Sequence, residues 1–509
     1  SGAGAGATAI ISNTTAIGIV SRGAASVVLN EGHIGVSVDA QAQTSAWTSP
    51  GWAGGQNFFY SQAEVRGNEA IGIWTGGGFD TVLNSGSIDV ASVATTIGHA
   101  DGAAYGLRLD GKAQVENTGG LTARSTATSY WQSAAEAYGM RLGDSADAQA
   151  SRVTTAGTIE AAAVATGWFG TADSTAVGVA SQGESELHNA GSIQATATAR
   201  GGSVVGMAEA QSHGAMLGQG RNTVSNAGDI TVRAEAAGGF LIGRVSGKAL
   251  AIGIGSGDGG SRIVNEGRIV VDAVSSGEAT AVGIRTGSGD DLIVNQGSIV
   301  ATRTVGGVAM AGIAIDAGAG NDTVVLGDGS VTRGDIDLGA GTDVLTMRGA
   351  TAIEGTVIDD GSRLLLQLNG NGSFGGTVPA AVIAKRGEGT FSLASLPSVQ
   401  RLEVQGGTLE VAGDYRFRGD GQFQATINGD GTHGRLHLLG QAQLGGSYSV
   451  QRGAGPFVDG TRYELLRADG GFGAGTAFER IELPASTRLL SFTSVQGAEA
   501  FDVTAQVKS

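Results

Sequence analysis

The sequence predicts an all-β chain, a β-solenoid closed by a compact C-terminal cap, and three observations carry that prediction. Glycine supplies 90 of the 509 residues and proline only 5, so glycine stands at more than twice its usual share of about 7%. A unit reading Ala-(Ile/Val)-Gly-(Ile/Val), followed about a dozen residues later by Val-x-Asn-x-Gly-x-Ile, recurs through roughly the first 330 residues. Between these anchors apolar and polar residues alternate, as in Ile193-Gln194-Ala195-Thr196-Ala197-Thr198-Ala199, and no 3.6-residue period is present, which selects strands over helices.

The elements follow in order from the anchors. The glycine recurs at Gly18, Gly72, Gly106, Gly139, Gly178, Gly214, Gly253, Gly283 and Gly312, a mean step of about 37 residues. Its partner asparagine recurs at Asn30, Asn84, Asn117, Asn189, Asn226, Asn265 and Asn295, with Thr155 in its place once. Asparagine tolerates turn conformations and bonds its own kind in a stacked ladder. A unit with so little apolar bulk cannot bury its own face and must stack on the next. The shortest step leaves too little chain for two turns, so each repeat is one coil. Residues 51–378 contain no proline, as expected where nearly every strand is central and every ladder donor is used. Large coils are expected over 1–310. Smaller coils are expected over 311–399, where Gly318-Ala319-Gly320-Asn321-Asp322 and Gly339-Ala340-Gly341-Thr342-Asp343 lie 21 residues apart. A cap is expected over 400–509, where bulky residues and prolines return, because an uncovered terminal coil presents unpaired edges.

Charge and composition remove several functions. With 31 basic against 47 acidic residues the net charge is −16, and no Lys/Arg cluster offers the phosphate contacts that nucleic acid requires. No apolar run of 18 or more residues is present, so no membrane span is expected. The opening Ser-Gly-Ala-Gly-Ala-Gly lacks the features of a signal peptide and reads as a mature or trimmed start. The absence of cysteine removes disulfides, thiolate metal sites and cysteine nucleophiles.

In its C-terminal stretch, Gly407-Thr408-Leu409-Glu410-Val411-Ala412-Gly413-Asp414-Tyr415, Gly440-Gln441-Ala442-Gln443-Leu444-Gly445-Gly446 and Asp459-Gly460-Thr461-Arg462-Tyr463, the chain resembles the autochaperone-like region of passenger domains of type Va autotransporters of the pertactin-like kind. The repeats over about 1–400 match that family in a more general way. The resemblance implies a right-handed parallel β-helix, export through an outer-membrane barrel, folding outside the cell from the C-terminal cap, and residence at the bacterial surface or in the medium. Passengers differ widely in activity, so the resemblance alone assigns none.

Candidate chemistry is sparse. Gly257-Asp258-Gly259-Gly260-Ser261 is the nearest string to a serine-protease nucleophile segment and falls in a repeat turn; the six histidines show no metal-ligand spacing. No cofactor and no metal are expected, with calcium between the Asp322 and Asp343 turns a weak candidate, since Gly-x-Gly-x-Asp resembles repeats that hold calcium by oxygen ligands. Arg-Gly-Asp occurs at Arg333-Gly334-Asp335 and Arg418-Gly419-Asp420; it resembles an integrin-type motif, against the ordinary reading of an Asp-containing β-turn. The aromatic residues stand out more. Trp47, Trp52, Phe58, Phe59 and Tyr60 sit in an insertion that stretches the first step to 54 residues, and Trp131, Trp168 and Phe240 follow their anchors by 13 or 14, which places them near one corner of successive coils, either plugging a wide core or forming an exposed strip. The chain is therefore expected to bind rather than catalyse: adhesion to a host surface, or capture of a host extracellular or cell-surface protein. Self-association between cells is the alternative, and a β-helical enzyme acting on carbohydrate the reading from another class. A concave strand face bearing two or more carboxylates would favour the enzyme, and a smooth polar ladder would favour association.

Overall fold

The computed structural model describes residues 8–23, 25–43, 62–143, 150–202, 206–239, 247–360, 363–376 and 378–507. Among them there is no helix; every regular element is a strand, and the strands stack in long parallel sheets as a parallel β-helix. Contacts divide the chain into two units: Ser1–Gly259, Glu266–Thr286 and Val300–Ala314 form the first, and Gly260–Asn265, Gly287–Ile299 and Ile315–Ser509 the second.

In the first unit each coil contributes one strand to each of three parallel sheets. The glycine sheet runs through Thr15–Ser21, Gln62–Thr75, His99–Leu109, Gln132–Leu142, Thr171–Ser181, Ala208–Leu217, Gly247–Ser256 and Glu278–Arg285. The asparagine sheet runs through Val27–Asn30, Asp80–Asn84, Ala113–Asn117, Ser151–Thr155, Ser185–Asn189 and Thr223–Asn226. The alternating sheet runs through His33–Ala42, Ser87–Thr96, Gly120–Ser129, Thr158–Gly167, Ser192–Arg200, Asp229–Ala237 and Arg268–Ser275.

The two anchors of the repeat exist for each other. Ile88, Leu121, Ile159, Ile193, Ile230 and Ile269 form one buried column of the alternating sheet, and each points at a glycine of the opposite sheet. A Cβ on Gly72 would collide with Ile88, on Gly106 with Leu121, on Gly139 with Ile159 and on Gly178 with Ile193. Glycine is thus the only residue that lets the sheets close over isoleucine, whose burial contributes about 1.5–3 kcal/mol per coil. The asparagines stack inside the corner: Nδ2 of Asn30 donates to Oδ1 of Asn84 at 2.7 Å, Asn84 to Asn117 at 2.7 Å, Asn117 to the Thr155 hydroxyl at 3.2 Å, and Asn189 to Asn226 at 2.6 Å. The polar ladder is therefore internal, and satisfies groups that would otherwise be stranded in the core.

The second unit continues the same chemistry with shorter coils. Leu292–Asn295, Thr323–Leu326, Val344–Arg348 and Leu365–Asn369 pair in parallel, and Asn265 Nδ2 donates to Asn295 Oδ1 at 2.8 Å. Parallel pairing runs on past residue 400 through Arg401–Val404, Gln422–Ile427, Ser447–Arg452 and Arg480–Glu482. The change of texture at 400 marks a change of filling: Phe423, Tyr448, Phe478 and Phe501 pack as an aromatic core with centroids 4.7–6.2 Å apart. Closure comes at the end. Arg462–Ala468 and Leu490–Gln496 both pair antiparallel with Ala500–Val507, which ends a second parallel sheet, the one that runs through Thr390–Leu393, Gly407–Val411 and Gly434–Leu438.

Candidate binding face and its neighbours

Each coil of the first unit passes from the alternating sheet to the glycine sheet at one corner. Residues Tyr130 and Trp131 fill that corner between Gly120–Ser129 and Gln132–Leu142; Trp168 and Phe169 fill it one coil on, between Thr158–Gly167 and Thr171–Ser181. The corners stack through the backbone, Trp168 N donating to Ser129 O at 3.0 Å and Phe169 N to Tyr130 O at 2.7 Å. Gly170 permits the approach, since a Cβ there would overlap the Trp131 carbonyl. The rings then meet across coils: Tyr130 to Trp168 at 6.3 Å, Tyr130 to Phe169 at 5.9 Å and Trp131 to Phe169 at 6.3 Å. They do not plug the core. Trp131 is 63% and Trp168 60% accessible, and Tyr130 and Phe169 each 47%, because the interior is already filled by alanine, valine and isoleucine and has no room for an indole. Trp47, Trp52, Phe58, Phe59, Tyr60 and Phe240 lie outside the described residues. The strands on either side of the first insertion, His33–Ala42 and Gln62–Thr75, are again an alternating and a glycine strand.

A second feature lies on the outer face of the glycine sheet and was not singled out from sequence. A bulge between Val65 and Asn68, with Gly67 at φ +61°, opens a concave pocket of about 290 Å³ lined by Glu69, Asp101, Glu136, Tyr105 and small residues between them. Glu69 pairs with Arg108 at 3.2 Å and His99 with Asp101 at 2.8 Å. Partial burial raises the Glu136 carboxyl; Asp101 and Glu69 add to the rise and Arg141 opposes it. Tyr105 and Tyr138, register partners, stack at 5.3 Å, with the Arg108 and Arg141 guanidinium groups 5.3–5.9 Å from their rings. Burial, then Glu136, push the Tyr138 phenol up to about 12. The signal was available in the repeat: Glu69 and Glu136 both stand three residues before their anchor glycine, and Tyr105 and Tyr138 one before.

The remaining candidates have partners within the chain. Arg333 pairs with Glu354 at 3.1 Å, and Asp335 Oδ1 accepts from Thr356 N and from its hydroxyl, both at 2.8 Å. Arg418 grips Asp420 with two bonds of 2.9 and 3.0 Å inside a β-turn closed by Gly421 N to Arg418 O; the hydrogen bond between them holds the Asp420 carboxyl below its ordinary range. Ser261 of the protease-like string is buried and donates its backbone N–H to Asp291. The Asp322 and Asp343 carboxylates are buried, each with Oδ1 capping a backbone N–H one coil back: Asp322 Oδ1 takes Asp291 N and Asp343 Oδ1 takes Asp322 N, both at 2.8 Å. Burial, reinforced by Asp291, Asp343 and Asp290 and opposed by the Asp291 N–H, pushes the Asp322 carboxyl up to about 7. Among the described residues no group of three or more His, Cys, Asp or Glu is placed to hold a metal ion, and no helix is long and apolar enough to cross a membrane. Set against family models and against curated proteins, the chain matches none.

Proposed function

We propose that this chain is the passenger of a type V secreted protein, displayed at or released from the bacterial outer surface, whose work is to bind a host surface or a host extracellular protein. The observation that carries the reading is the corner of Tyr130, Trp131, Trp168 and Phe169. Four large rings held in solvent by two successive coils contribute nothing to the core, and aromatic side chains of this kind dominate binding hot spots. A parallel β-helix that ends in an antiparallel closure supports the passenger assignment. The test is adhesion and capture: the purified chain is expected to bind host cells or retain a protein from host serum, and Trp131→Ala with Trp168→Ala to abolish this while the melting temperature holds. Equal binding by the double variant would remove the reading. Self-association of displayed chains is the alternative within binding, and sedimentation of the pure chain tests it.

A second reading is favoured by one observation, the concave pocket with Glu69, Asp101 and Glu136. Two carboxyl groups flanking one space are the apparatus of glycoside cleavage, and the Glu136 carboxyl is raised here. An enzyme acting on carbohydrate would release reducing ends from polysaccharide, and Glu136→Gln would stop it.

A further inference from the structure

The aromatic corner has a chemical character that narrows its ligand. On the alternating-sheet side its neighbours across the coils are Thr95, Thr128 and Thr166, register partners of one another, with Arg200 next in the column. On the glycine-sheet side they are Gln132 and its register partners, Thr171 one coil on and His99 one coil back. Within the two coils that carry the rings, Thr128, Thr166, Gln132 and Thr171 bear no charge; the charged groups of these columns, Arg200 and the His99–Asp101 pair, stand one coil beyond on either side. Each of the three threonines and Thr171 is half-buried and Gln132 is exposed, so hydroxyl and amide groups border the four rings on both sides. The rings Trp131 and Trp168 keep more than half of their surface accessible, which an indole with both faces covered cannot do.

A ligand for such a surface needs flat apolar faces to lie on the rings, hydroxyl groups to meet Thr and Gln, and no net charge. A polyanion is opposed by the net charge of −16, and a polycation would find no carboxylate among Thr128, Thr166, Gln132 and Thr171, the polar residues of the rings' own coils. A wholly apolar peptide would leave the threonine and glutamine groups without partners, which costs free energy on desolvation. Pyranose rings meet all three requirements, since their C–H faces pack on aromatic rings and their rims are hydroxylated. The ring-to-ring spacing of 5.9–6.3 Å across two coils gives a platform longer than one sugar. We infer that Tyr130, Trp131, Trp168 and Phe169 form a binding platform for an uncharged oligosaccharide, with Thr128, Thr166, Gln132 and Thr171 as its hydrogen-bonding rim. This rests on the binding reading above and names the class of its ligand.

The test uses the full chain and a panel of immobilised neutral glycans: β-1,4-linked glucan, α-mannan, galactan and poly-N-acetyllactosamine, with heparin as the charged control. At least one neutral glycan is expected to bind, and the affinity to survive about 1 M salt, where charge effects are screened. Trp131→Ala or Trp168→Ala should weaken it by more than about tenfold, whereas Trp168→Phe should retain most of it. Should the alanine variants unfold, oxidative footprinting of the unaltered chain replaces them, and saturating glycan is expected to protect Trp131 and Trp168. No binding to any neutral glycan, salt-sensitive binding to heparin alone, or binding that neither touches nor needs these two tryptophans would overturn the inference. The two readings separate on cells whose glycans have been destroyed by periodate. Adhesion that persists there sinks the saccharide inference and leaves the adhesin reading, and a chain that binds neither cells nor glycans sinks both.

Discussion

At the scale of the residue, the fold rests on polar side chains placed where a solenoid has no water to offer. Asn84 donates to Asn117 and accepts from Asn30, so a change there breaks two bonds and strands both neighbours. Asn84→Ala is expected to cost about 1–3 kcal/mol for the unsatisfied groups, read as a fall in chemical-denaturation midpoint. Asp322 makes a different prediction. Its carboxyl is raised in the folded chain to about 7 from about 3.9 in an unfolded one. A raised acid favours folding while it is protonated, so its contribution is complete below about pH 4 and is lost as pH climbs through about 7. Thermal melts should therefore show stability falling between about pH 4 and about pH 7, and Asp322→Asn should flatten that part of the profile. An unchanged slope in the variant would assign the dependence elsewhere.

At the scale of the element, the anchors of the repeat were legible because they are steric necessities. Gly139 can be nothing larger while Ile159 faces it, so the spacing of glycines in the chain is the register of the sheet. The same spacing put Trp131 and Trp168 on one corner. It did not say which way they point, because outward and inward differ at a corner by the path of two residues, and the pattern of alternation stops there. The carboxylate pocket was hidden for another reason: Glu69, Asp101 and Glu136 are scattered in sequence and converge only when strands are laid side by side on the glycine column, with a bulge to open the space between them. The Arg-Gly-Asp turns pose a separate question. Arg418 and Asp420 hold each other at the surface, and Asp335 holds Thr356, so in each tripeptide the charges already have partners of their own. Asp335→Ala and Asp420→Ala should leave adhesion to integrin-bearing cells at the level of the unaltered chain; loss of adhesion in either would restore the motif to the function.

At the scale of the whole molecule, stacking creates a problem that each coil cannot solve for itself: the last coil of a solenoid offers a row of unpaired backbone groups and an open core. Here the chain answers at its C-terminal end with residues unlike those of the repeats. Tyr463 and Phe501 are fully buried, Tyr463 donates its hydroxyl to Asn428 O at 2.8 Å, and Phe501 meets Tyr448 edge-on at 4.7 Å. The strand that carries Phe501 also blocks further parallel pairing by running antiparallel to both its neighbours. Phe501→Ala leaves a ring-sized cavity beneath that closure and should cost about 3–5 kcal/mol, seen as earlier unfolding in denaturant. Removing residues 490–507 goes further, since it bares both the aromatic core and an edge of Arg462–Ala468, and refolding from denaturant should slow and end in aggregation at concentrations where the full chain recovers. The proposed binding corner lies on other coils, so any fraction of the shortened chain that does fold is expected to keep whatever affinity for cells or glycans the full chain shows. Refolding of the shortened chain at the rate and yield of the full one would show that closure is not what the C-terminal strands contribute.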